Sequence, residues 1–330
     1  MLRERFGLVA NFKPWGGERA SSAPRASALG EEAVRSLWSD TWRTLRRDRA
    51  AMAGLALILM LVLAAILAPI VAPHDPNFGY REGLSERGAP LPPLSSGPPD
   101  RPPFFLGTDG LGRDLLSRIL FGAQISLVIG VVANTLSMGL GVTAGLIGGY
   151  FPGVAGQVMM RATDIIMAVP TLLLAMALIT VLQPGLAVVI LVIVVVYWTY
   201  LARIVFGEVR TMREKEFIEA ARCIGASDVR IIVRHVLPNL ISTAIVYATL
   251  SAATMILTEA TLSFLGIGVK PPTASWGAML SDGQRFFLTS PWMMLFPGLA
   301  LLLLLLGFNL LGDGLRDALD PRTSNRPGGP

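Results

Sequence analysis

Long stretches with almost no charged side chain constrain this chain more than any other feature. Residues 50–73, 119–160, 165–202 and 286–312 carry no Asp, Glu, Lys or Arg, and 240–269 carries only Glu259. A helix needs about 20 apolar residues to cross the hydrocarbon core of a bilayer. No water is available there, so a spanning backbone must bond to itself as a helix. The 165–202 run is too long for one crossing, and Gln183-Pro184-Gly185 breaks it with a polar turn. The pattern predicts an all-α integral membrane protein. Six transmembrane helices are expected, at about 50–72, 124–149, 164–182, 186–206, 241–265 and 291–312.

Composition agrees. Of 330 residues 52% are hydrophobic and 15% charged, where soluble proteins average about 25% charged. The net charge of +5 suggests nucleic acid only until the cations are placed. If six helices alternate, 21 of the 28 Lys and Arg fall on one side, including ten in 1–49 and six in 207–240. The positive-inside rule then puts both termini in the cytoplasm, and the charge partner is the lipid bilayer rather than nucleic acid. The first run begins after 49 residues and outlasts a signal peptide's apolar core.

The organisation that follows is a cytoplasmic segment at 1–49, a first span at 50–72 and an extracytoplasmic loop at 73–123. A five-helix core at 124–312 contains a cytoplasmic loop at 207–240, and 313–330 forms a cytoplasmic tail. Residues 1–35 read as loose. In 36–49, Trp38, Trp42 and Leu45 share one helical face among arginines, as in an anchor at the inner leaflet. Thr108 or Asp109 is placed to cap a short helix carrying Leu111, Leu115, Leu116 and Ile119.

Catalytic apparatus is not visible. The lysines are Lys13, Lys215 and Lys270, and none stands in a phosphate-binding loop, so ATP cannot bind in that manner. One cysteine and two distant histidines, His74 and His235, give no metal cage. The reading is a non-enzyme without a cofactor of its own.

The 207–240 loop is the informative segment. Phe217, Ile218, Ala221 and Ile224 follow helical spacing up to Gly225, a suitable terminator. Ser227 or Asp228 can cap a second helix, 229–237, ending near Pro238. Ala220 and Ala221 permit close approach of another surface, and Glu219 offers it a charge.

Glu219, Ala220, Ala221, Gly225, Leu237 and Pro238 have the spacing of the signature loop of bacterial ABC importer permeases, which this chain resembles. His235 stands where that signature is usually apolar. Leu106-Gly107-Thr108-Asp109, Gly112-Arg113-Asp114, Leu262-Ser263-Phe264-Leu265-Gly266, Ser275-Trp276-Gly277 and Leu319-Asp320-Pro321 resemble the dipeptide/oligopeptide/nickel branch. The long segment before the first span is similar to its C-type subunit. The resemblance implies a type I ABC importer permease fold in the inner membrane. It also implies a homologous B-type permease partner, two ATPase subunits carrying ATP and magnesium, and an extracytoplasmic peptide-binding protein. The six signature residues would couple to the ATPases. Short peptides are the implied cargo; nickel complexes or another small solute stay open. An ion-coupled secondary transporter is the alternative from a different class, but no inverted repeat or set of midplane ligands is visible. A membrane-anchored enzyme would lack catalytic residues.

Glu259 admits two readings: a pathway group meeting a peptide amine, or a structural acid bonded to nearby backbone or Trp276. The packing-rich motif around it favours the second. Arg161 and Asp164 are spaced to pair at i, i+3, or else to reach separately to the interface.

Overall fold

The computed structural model describes Ser39 and residues 41–99, 101–151 and 153–319. Residues 1–35, Trp38 and Asp320-Pro321, which carry sequence expectations, lie outside them. The described residues are helical, with isolated bridges but no strand. The main helices are α1 (Arg49–Val71), α2 (Leu115–Val128), α3 (Asn134–Tyr150), α4 (Val154–Ala168), α5 (Thr171–Leu182) and α6 (Leu186–Arg213). They continue with α7 (Glu216–Cys223), α8 (Asp228–Ile231), α9 (Leu237–Phe264), α10 (Trp276–Gly283) and α11 (Trp292–Leu319).

Among the described residues, five continuous helices are long and apolar enough to cross a bilayer: Arg49–Val71, Leu115–Tyr150, Leu186–Arg213, Asp228–Phe264 and Trp292–Leu319. The expected 164–182 helix is instead two pieces, bent by 92° between Ala168 and Thr171. Pro170 causes the break. Its ring disfavours helical backbone in the preceding residue, and Val169 is extended at φ −97°, ψ 132°.

Two further boundaries differ from expectation. The short helix after Thr108 and Asp109 is not separate: α2 runs through a π-helical turn, Ile129–Ala133, into α3. Its cap is Asp114, whose carboxylate accepts from Ser117 N at 2.8 Å. Likewise, the second loop helix does not end at Pro238. It passes through another π-helical turn, Ile232–Val236, into α9, where Pro238 lies in the first turn. Pro238 has no N–H to give and its ring crowds the preceding turn; the wider π-helical turn accommodates both defects.

Glycines set the tightest packing. Gly141, Gly145 and Gly149 recur every fourth residue along α3. A Cβ on them would lie 2.8, 2.5 and 2.8 Å from the carbonyl oxygens of Trp198, Ala202 and Phe206 on α6. Small residues at this spacing let helices approach closely where no water drives association. Gly54 of α1 and Gly307 of α11 meet in the same way. Polar side chains supplement the packing. Asn134 Nδ2 donates to Ala248 O at 2.7 Å, and Ser251 donates to Asn134 Oδ1 at 2.9 Å, joining α3 to α9.

The 73–114 segment forms an irregular but closely bonded cap. Asp109 accepts from Leu111 N at 2.9 Å, Arg113 N at 3.0 Å and Arg113 Nε at 2.6 Å, and lies 3.4 Å from Arg118 Nε. Thr108 donates to Gly83 O and accepts from Leu91 N. The Gly-Thr-Asp and Gly-Arg-Asp motifs therefore build the cap's interior. His74 is buried there, stacked on Phe104 with ring centroids 4.8 Å apart.

Candidate coupling site

Helix α7 forms because Lys215 O accepts from Ile218 N and Glu219 N, while an amphipathic sequence supplies one apolar edge. Ile218 and Ala221 are buried and belong to the main core with Val209, Ile231 and Val236. The opposite face carries Glu219, Ala220, Arg222 and Cys223, all exposed. Gly225 ends the helix at φ +81°, a left-handed conformation that glycine adopts without steric cost. A Cβ at Gly225 would meet nothing within 4 Å. Ser227 then caps α8 by accepting from Arg230 N.

The signature residues are brought together only in part. Glu219, Ala220 and Gly225 present an outer surface, whereas Ala221 faces inward. Leu237 is half-buried against the core and Pro238 is exposed, both in the long helix that follows. Phe217 and His235 connect the two parts, with ring centroids 6.3 Å apart. The helix from Asp228 to Phe264 has 37 residues, about 55 Å at the usual rise. A hydrocarbon core of about 30 Å cannot cover that length.

The outer surface of this region is apolar without being covered. Ile224 is 86% exposed, and Phe217, Val229 and Val233 are exposed as well. Singly exposed apolar residues need no explanation, but four around one charged helix and its exit form a surface suited to another protein.

Sequence reasoning missed Tyr150. This buried residue ends α3, and its hydroxyl donates to Asp228 Oδ1 at 2.6 Å. The Arg222 guanidinium lies 5.6 Å from the Tyr150 ring centroid. The arginine is held further toward its charged form, chiefly by the nearby Tyr150 hydroxyl and then by the neighbouring charges of Asp228 and Glu219. The only local sign was its place at the end of the expected 124–149 helix, just before Pro152-Gly153.

Glu259 lies elsewhere, in α9, and is 0% exposed. Ser263 Oγ donates to its Oε1 at 2.7 Å and accepts from Val269 N at 3.1 Å. Trp276, one of the two partners read for it, is engaged elsewhere: its indole donates to Ile119 O at 3.0 Å. Arg161 and Asp164 pair at 3.7 Å, and Arg203 of α6 also pairs with Asp164. Among the described residues no three His, Cys, Asp or Glu side chains gather to bind a metal.

Comparisons with known proteins bear on the family and the fold. Residues 141–325 match the family described as binding-protein-dependent transport system inner membrane component. Residues 36–93 match the N-terminal transmembrane domain of oligopeptide transport permease C. The glutathione transport system permease protein GsiD of Escherichia coli O6:K15:H31 is 41% identical over 291 residues, covering 88% of this chain and 92% of that protein. The di/tripeptide transport system permease protein DppC of Pseudomonas aeruginosa is 41% identical over 284 residues, covering 86% and 92%. A chain of the inward-facing MetNI methionine ABC transporter aligns with a TM-score of 0.51 at 18% identity, covering 62% of this chain and 96% of that one. That likeness concerns the fold.

Proposed function

Because the chain belongs to the family of inner membrane components of binding-protein-dependent transport systems, we propose that it is the C-type permease subunit of a peptide importer. It forms half of a translocation pathway in a bacterial inner membrane. The bent pair α4–α5 counts as one crossing, which makes six spans and leaves both termini in the cytoplasm. A homologous B-type permease supplies the other half. Two ATPase subunits bind ATP and magnesium below, and an extracytoplasmic binding protein delivers the cargo. The peptide assignment rests on the relatives, named for glutathione and for di- and tripeptides.

The observation that carries the coupling role is the uncovered surface around α7 and Gly225. Its inner face is anchored in the core, so a push on the outer face reaches the spans as a displacement rather than as local unfolding. A partner that binds the surface differently in two nucleotide states would bias a two-state pathway. Glu219 would add a charge-assisted contact, worth about 1.5–3 kcal/mol when well formed.

The test is reconstitution with the candidate partner subunits in vesicles, followed by uptake of labelled glutathione, a dipeptide and a tripeptide. ATP-dependent uptake of at least one peptide is expected. Partners that assemble with the chain and import none of the peptides, while importing a nickel complex, would overturn the peptide assignment.

A further inference from the structure

Three helix ends meet at one phenol. Tyr150 closes the Leu115–Tyr150 helix, Asp228 opens the Asp228–Phe264 helix, and Arg222 projects from α7 between them. Tyr150 is buried and Arg222 is exposed, so the contact runs from the outer surface of the loop to the inner end of a span. The two long helices also bond through Asn134, Ala248 and Ser251, about four turns from Tyr150 along the first and about six from Asp228 along the second.

Resting on the coupling role of α7, we propose that Tyr150, Arg222 and Asp228 form the linkage that passes its displacement to both long helices. The three are positioning residues. Without the phenol, Ile218 and Ala221 would still attach α7 to the core, but through apolar contacts that can slide. A hydroxyl donating to one carboxylate oxygen is directional, and departures in angle weaken it steeply. A movement of α7 that carries Asp228 must therefore carry Tyr150, and both spans shift as one body.

The experiment is amide hydrogen exchange on the assembled importer in nanodiscs, with and without trapping of the ATPases by magnesium, ATP and vanadate. In the parent, trapping should change exchange in 216–225 and in 134–150 and 237–250. Tyr150→Phe keeps the ring and its packing. It should assemble in parental amounts and keep the response of 216–225, while the response of the two spanning segments falls at least twofold. Asp228→Asn keeps an acceptor oxygen for the phenol and should behave like the parent; Asp228→Ala should behave like Tyr150→Phe. A role confined to the helix N-terminal charge would make the Asn and Ala variants alike, which overturns the linkage. It is also overturned if Tyr150→Phe keeps the full response, or if the parent's spans do not respond. Absence of any response in the parent's 216–225 would instead remove the coupling reading, and the linkage with it.

Discussion

Replacing Gly145 by alanine adds one methyl group at the tightest point between α3 and α6. The new Cβ would stand 2.5 Å from Ala202 O and 2.7 Å from Val205 Cβ. Real Cβ contacts are ordinary only from 3.4 Å. The helices must separate by several tenths of an ångström, and because Gly141 and Gly149 lie on the same stripe, their contacts loosen together. Overpacking of this kind costs about 1–3 kcal/mol. Gly139 is the internal control: it lies in the same helix, and a Cβ there meets nothing within 4 Å. Both substitutions gain the helix propensity of alanine, worth up to about 1 kcal/mol, so this gain cancels in the comparison. Gly145→Ala should therefore be less stable than Gly139→Ala by about 1–3 kcal/mol. Denaturant titration of each purified variant in mixed micelles, followed by helicity, measures the gap. Equal midpoints and slopes would refute the claim that glycine carbonyl contacts set this interface.

Three other substitutions or reagents probe separate parts of the account. Burial pushes the His74 imidazole below its ordinary 6.5, helped by Arg101 and opposed by Asp114. An opened cap binds the proton more readily than the closed one, so cap stability is full above pH 6.5 and falls as pH drops toward the folded value; protection of the 73–114 amides relative to their intrinsic exchange rates should fall across that window, and His74→Phe should abolish the fall. Glu259→Gln keeps an acceptor for Ser263 Oγ and should retain most of the uptake; a large loss with normal assembly would restore the pathway reading. Cys223 is exposed, and a membrane-impermeant thiol reagent should label it only in inverted vesicles, since labelling of intact cells would reverse the proposed orientation.

The five continuous apolar helices were legible because the bilayer demands uninterrupted apolar helices, and charge-free runs record that demand directly. Helix termini outside the bilayer were not. Charges such as Arg210 and Arg213 are compatible with either loop or helix, and α6 continues through both. Pro238 read as a stop because proline breaks isolated helices; the π-helical turn before it is a tertiary accommodation with no local signature. Pro170 had the opposite effect: it sits in a run that looks like one span, yet its steric demand on Val169 bends the chain. In the coupling region, the sequence pattern identified α7, its Gly225 terminator and a cap at Ser227 or Asp228, of which the structure uses Ser227. Tyr150 was invisible because its partner Asp228 lies 78 residues away.

The most direct test of the coupling role is Gly225→Asp in the reconstituted importer. Within this chain a Cβ at Gly225 meets open space, and aspartate is among the residues that tolerate left-handed backbone best, so the strain at φ +81° stays local at about 1–2 kcal/mol or less. The variant should therefore insert and fold, so a functional defect reports on what docks against that surface. The measurement is ATP-driven peptide uptake in vesicles, with assembly checked by co-purification of the ATPase subunits. The account predicts loss of uptake with the chain still inserted in the membrane, and a milder loss for Glu219→Ala. Parental uptake by Gly225→Asp would contradict it.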